Sequence, residues 1–533
     1  VRVTARYRAP AGDGGLLAQP PLNELGSQLD ANADRLNTLN VRLGGIPLAE
    51  FRSVAATEIL EAASQYLAEP EAKTRTAVTL ASASGSAAPD RLIVAGHQPE
   101  FFHPGVWVKN FVLAAQAKRH GRAALNLVVD NDTTKGTALR VPVVADDPTA
   151  VTVETIPFDR DEADLPYEEC HVADRGLFDS FPNRLGALTR SWGFEPLALP
   201  TWLTLRALVD DRAPLGEAVA RVRRGWEQMW GVTNFELPVS RLAGTRAFAG
   251  FVQTVLADLP RFADDYNGAI RAYRKANHLR GRNHPAPELA RRGDAVEAPF
   301  WVWRADAPRR VKLFACRTES GIELRAGERS LRRVPVGTDA FYSAWAGLLA
   351  AGWKVRPRAL TLTLFTRLGF ADGFMHGIGG GKYDEVTDDI IRRYFHIDPP
   401  GYAVVSATVR LPIRRFPATA EALRRAERLV RDLDWNPQRF SEANQRSPQL
   451  VVEKFRLIEA EPVGHADRRA WFRELQRVTR DLRLAVADRR ESAMGDTDRL
   501  RAELGANDIL ASREYAWPLF PESFLRNSLS QYQ

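Results

Sequence analysis

The chain has 533 residues, 45% of them hydrophobic and 26% charged, long enough for several structural units around a sizeable core. Its 12 Trp, 11 Tyr and 25 Phe exclude disorder over most of its length, and no run approaches the roughly 18 uninterrupted apolar residues that a membrane span needs. A net charge of +7, from 73 Lys and Arg against 66 Asp and Glu, is too dilute to mark a nucleic-acid binder.

Cys170 and Cys316 are the two cysteines, far apart and without CxxC spacing, which excludes a disulfide framework and a zinc ribbon. The basic residues 1–8 lead into a polar turn rather than an apolar h-region. No secretory signal is therefore expected, and the expected location is cytoplasmic.

In chain order, Leu22, Leu25, Leu29, Leu36 and Leu39 recur at helical steps. They predict a helical segment over 16–77, with a second helix from Ala49 to Leu67. The small, polar, Pro-containing run 81–90 reads as a linker. After it the period changes: a β-branched run at 91–95 ends at Gly96, Val108, Phe111, Val112 and Ala115 give helical spacing over 104–120, and 126–129 is again strand-like. Strand, helix, strand within so short a span predicts a βαβ unit and a parallel pair. Further strands are expected at 151–156, 299–303, 311–316, 360–365 and 402–411.

Beyond Pro412, Leu423, Ala426, Val430 and Leu433 form one apolar stripe, and Trp471, Leu475, Val478, Leu482 and Ala485 another. Separated by the polar stretch 436–448, they predict two antiparallel helices in a hairpin or coiled coil. Interleaved charges, with Glu421 and Arg425 at i,i+4 spacing, mark a solvated ion-paired face. The expected organisation is an N-terminal helical segment (1–85), an α/β core (86–412), the helical hairpin (413–504) and a tail packing on the core (505–533).

Three segments can carry chemistry. The turn 96–105, GHQPEFFHPG, leaves a strand for a helix, and there the helix start offers free N–H groups and a positive dipole end to an anion. Gly96 and Gly105 are candidate ligand- or phosphate-binding positions. His97 and His103 are candidate proton-transfer groups, and Gln98 and Lys109 are candidate ligand contacts. Alternatively, the glycine serves the turn and the imidazoles satisfy backbone groups.

Asp130, Asn131 and Asp132 close the next strand on the same edge. Their carboxylates can hold a ribose, an ammonium or Mg²⁺, or can simply cap the turn. The run 377–389, GIGGGKYDEVTDD, brings Gly379, Gly380 and Gly381 for close backbone approach and Lys382 for a phosphate or carboxylate. It is not a Walker A loop, because Tyr383 stands where Ser or Thr would bind Mg²⁺. No GxSxG elbow occurs.

In their order and spacing, GHQPEFFHPGVW (96–107), LNLVVDND (125–132), the segments 266–289 and 297–315, and GIGGGKYDE (377–385) resemble the cysteine-adding enzymes of bacillithiol biosynthesis. The resemblance covers roughly 90–415. It implies a Rossmann-like, nucleotidyltransferase-like parallel-sheet core bearing a helical coiled coil, and a ligase-like activity joining an amino acid such as cysteine to an amino-sugar conjugate. By position, His97 and Gln98 fall where that family has a Gln pair, Asp130–Asp132 near its Asp-His-Asp run, and Gly379–Gly381 at its glycine turn. Asn131 replaces a histidine there and His97 a glutamine, so a relative acting on another small substrate is equally implied.

The leading expectation is an enzyme in which a nucleotide or other phosphorylated molecule lies over the 96–105 loop and a small amine- or thiol-bearing substrate is held at 130–132, with the cofactor left open and no metal ligands assigned. The alternative is a non-catalytic scaffold forming a homodimer through its hairpin. No membrane is expected as partner, and nucleic acid is the least expected.

Overall fold

The computed structural model describes residues 7–69, 91–161, 164–210, 212–281, 283–460, 462 and 464–533. The linker expected at 81–90 lies outside them.

The first described elements are β1 (Leu16–Gln19), α1 (Leu25–Thr38) and α2 (Leu48–Ala68). Next come β2 (Leu92–His97), α3 (Pro104–Arg119) and β3 (Ala123–Val128), which are the predicted βαβ unit. A two-stranded antiparallel hairpin (138–143 with 152–157) and three helices between 175 and 229 precede β4 (Phe235–Pro238), α4 (Arg246–Ala257) and α5 (Leu259–Ala276). An antiparallel sheet follows: β5 (Ala295–Arg304), β6 (Ala307–Thr318), β7 (Gly321–Ala326), β8 (Arg329–Val334) and β9 (Trp353–Pro357). The chain then returns through α6 (Ala359–Gly369), β10 (Ala371–His376), α7 (Ile378–Ile390) and β11 (Ala403–Ala407).

The main sheet has the order β1-β11-β10-β2-β3-β4. Every neighbouring pair from β11 to β4 is parallel, and β1 pairs antiparallel with β11. Leu92, Ile93, Val94 and Ala95 are all buried, as a strand covered by helices on both faces requires. Ile93 and Ala95 pack with Trp107 and Phe111 of α3. Leu92 and Val94 pack on the other face with Phe51 of α2 and Phe248 of α4. α3 opens on Pro104, whose missing N–H costs nothing at the first helical position.

The antiparallel sheet, ordered β8-β7-β6-β5-β9, is tied to the main core by a buried charged seam. Arg356 donates to both oxygens of Glu168 at 2.8 Å, and Trp303 Nε1 donates to Glu169 at 2.7 Å.

Several expectations are corrected. Residues 360–365 are helical, not a strand: Leu360, Leu362, Leu364, Phe365 and Leu368 of α6 are buried almost all round, and a continuous apolar run does not distinguish the two. The segment 16–77 is not helical throughout, because β1 forms an edge strand. The strand expected at 402–411 covers only 403–407. Gly379, Gly380 and Gly381 lie inside the first turns of α7 rather than in a loop. In its place packing demands glycine: a Cβ on Gly381 would lie 2.4 Å from Val404 Cγ2.

The two-helix hairpin is also replaced. α8 (Ala420–Trp435), α9 (Pro448–Glu459), α10 (His465–Ala485) and α11 (Ala487–Leu510) form a small helical unit. α9 packs on α10 while α8 lies along α11, around Leu433, Val451, Val478 and Leu482. No described helix is long and apolar enough to cross a membrane.

Candidate functional site at the carboxyl edge of the parallel sheet

β2 and β10 are neighbours, with Met375 beside Ala95, yet the chain leaves them in opposite directions. From β2 it runs through α3 to β3; from β10 it runs through α7 to β11. In an open α/β sheet such a divergence leaves a crevice outside the carboxyl ends of the strands, where ligands bind. α3 covers the face bearing Ile93 and Ala95, and α7, through Val386 and Ile390, the face bearing Val94 and Phe374. Two helix N-termini therefore flank the edge from opposite sides.

On the α3 side, Gly96 lets β2 approach β3, since a Cβ there would sit 3.2 Å from Leu127 O. At Gly105 it would sit 2.0 Å from Ala407 O, so only glycine admits the first turn of α3 over β11. Lys109 is 3% exposed. Its ammonium donates to Gly96 O at 3.0 Å, no ion pair joins it to a described carboxylate, and burial draws its pKa down to about 8.

His97 Nδ1 lies 3.1 Å from Gln98 O, and its ring stands edge-on to Phe102 at 4.8 Å. Burial, then Lys109, hold its pKa well below the ordinary value. Burial, then Arg513 and Lys109, push His103 down to about 3. The two imidazoles and the ammonium thus share one electrostatic neighbourhood, which disfavours the charged form of each imidazole. A cavity of about 10 Å³, lined by His97, Lys109, Asn110, Asn126 and Arg223 among others, has room for roughly one water. Any larger ligand lies on the edge, not beneath it.

The 96–105 loop and the 130–132 turn meet: Gln98 Nε2 donates to Asp132 Oδ2 at 2.9 Å. Asp132 also accepts from Arg310 of β6 at 3.1 Å. The two acids of the turn have different partners. Asp130 accepts from Ser240 N at 2.9 Å and from the Ser240 hydroxyl, while Asn131 Nδ2 donates to Pro357 O at 2.8 Å. Burial, then Glu168, raise the Asp130 carboxyl to about 7.

On the α7 side, Lys382 is exposed, and no hydrogen bond or ion pair among the described residues joins 377–382 to 96–105 or 130–132. Sequence reasoning missed a dyad here. His376, the last residue of β10, approaches Asp384 with Nε2 at 2.8 Å from Oδ2. Arg367 of α6 donates to Asp384 and to Asp388 at 2.7 Å each. Burial alone would raise the Asp384 carboxyl, but Arg367 and His376 outweigh it and hold it down to about 2. Gly380 leaves the other imidazole nitrogen uncovered, since a Cβ there would lie 2.8 Å from Nδ1. The available signal was positional: a histidine ending a strand, with an acid two turns into the next helix.

Among the described residues no group of three or more His, Cys, Asp or Glu is placed to hold a metal ion. No protein-family model matches the chain, and no curated protein matches it.

Proposed function

We propose that the chain is a Rossmann-like, ligase-type enzyme of small-molecule metabolism. An anionic substrate or a nucleotide lies over the carboxyl edge, between the starts of α3 and α7. Lys109 carries the reading. A lysine 3% exposed, with a carbonyl and no described carboxylate for company, is costly to keep charged, and an arriving anion balances it. The N–H groups at the start of α3 add to that field.

In the reaction, Lys109 and these N–H groups take up developing negative charge. His97, whose Nδ1 faces the Gln98 carbonyl, moves a proton at Nε2. Joining an amino acid such as cysteine to an amino-sugar conjugate is the reaction that the family resemblance implies. The test is thermal stabilisation by ATP, ADP and malate, compared between the natural chain and Lys109→Met. Stabilisation lost in the variant supports the assignment; no stabilisation, or the same in both, removes it.

One observation favours a second reading, a scaffold that dimerises through the C-terminal helices. Val452 is 69% exposed, Phe472 49% and Leu484 73%, all within α9 and α10. Light scattering of the full chain and of Val452→Glu with Phe472→Glu decides it: a dimer lost in the variant supports the scaffold, and a monomer throughout rejects it.

A further inference from the structure

At the opposite, amino-terminal end of the parallel sheet, a cleft of about 590 Å³ opens between the end of β1, the second half of α7 and the loop entering β11. It falls in the size range of ligand sites, and none of the residues discussed at the carboxyl edge, Asp388 apart, lines it.

Its walls are rings: Tyr7, Tyr402, Pro20, Pro21, Pro399 and Pro400. Such walls are rigid and lose little freedom on binding. The polar groups divide by sign. Arg35 donates to Pro399 O at 3.2 Å, Arg392 has one charged contact among the described residues, 3.7 Å to Asp388, and Gln19 adds an amide. Asp388 is taken up by Arg367. Glu24 and Asp398 are exposed at the rim and make no side-chain hydrogen bond or ion pair among the described residues.

We propose that this cleft binds a proline-rich segment of a partner protein, in polyproline II conformation, with a flanking arginine or lysine. A polyproline backbone has carbonyls and almost no N–H groups. It therefore needs donors, which Gln19, Arg35 and Arg392 supply. Its pyrrolidine rings match tyrosine and proline walls, the usual lining of grooves that read such segments. Its basic flank matches Glu24 and Asp398, whose charge would repel a polyanion.

The test is fluorescence anisotropy of the full chain with a fluorescein-labelled peptide of six prolines followed by two arginines. Saturable binding is expected, weakened about tenfold or more by Tyr402→Ala, as for an aromatic anchor. Glu24→Lys with Asp398→Lys weakens it about fivefold and inverts its salt dependence, so that added salt now strengthens binding. Should Tyr402→Ala unfold, the charge-reversed chain decides alone. Absence of saturable binding, equal affinity for a Gly/Ser peptide with the same arginines, or indifference to the charge reversal overturns the proposal.

Discussion

Replacing Lys109 by methionine removes a buried ammonium while keeping most of the side chain's volume. Burial lowers the Lys109 pKa from 10.5 to about 8, and each tenfold change in a proton-binding constant corresponds to about 1.4 kcal/mol, so the full effect is about 3 kcal/mol. The sign follows from proton counting. Between pH 8 and 10.5 the unfolded chain holds a proton on this lysine that the folded chain has released, so stability rises with pH across that window. It is fully present above 10.5 and lost as the pH falls through 8. The natural chain should therefore gain on Lys109→Met by about 3 kcal/mol between pH 7 and 10.5, whatever the offset left by the lost bond to Gly96 O. Urea unfolding of both proteins at several pH values, followed by the emission of buried tryptophans such as Trp107, measures the difference directly. A difference that does not change with pH refutes the buried, unbalanced ammonium and the anion site built on it.

Asp130→Asn should stabilise the chain at pH 8 but not at pH 3.5. A carboxyl raised to about 7 contributes stability fully below its unfolded value near 3.8 and loses it as the pH rises through 7; thermal melts at the two pH values check this. Gly105→Ala forces a Cβ to 2.0 Å from Ala407 O and should cost about 1–3 kcal/mol or more in urea unfolding. Gln98→Glu places a second carboxylate where an amide now donates to Asp132 at 2.9 Å; the variant should melt lower than the natural chain at pH 7, read as a thermal midpoint. Arg356→Ala leaves Glu168 buried without its bidentate partner and should cost about 3–5 kcal/mol, read as a shifted urea midpoint.

Local pattern was sufficient where the physics is local. The β-branched run at 92–95 and the Pro104 start of α3 are visible in the residues themselves, and so was the prospect that two loops of one sheet edge would meet, as Gln98 and Asp132 do. It failed where a distant partner decides. Leu16–Gln19 is a strand only because Ala407 to Val404 offer an open edge. Three consecutive glycines disfavour a helix by propensity, yet α7 keeps Gly380 and Gly381 because His376 and Val404 crowd that turn, while nothing in the packing requires Gly379. Asp130 and Asp132 share an edge but have different partners, for Ser240 comes from a segment with no readable motif and Arg310 from one whose motif carried no assigned role. Lys109 was legible as a cation near a helix start, while its burial was not.

The order of strands in the main sheet has a consequence for biogenesis. β2 meets β3 almost at once, but its other neighbour, β10, lies about 280 residues downstream. At roughly 5–20 residues per second the ribosome needs about 15–55 s to deliver it. Throughout that interval β2 lacks its partner on the β10 side, so the early half of the nascent chain carries an unpaired strand edge of the kind that invites wrong pairing.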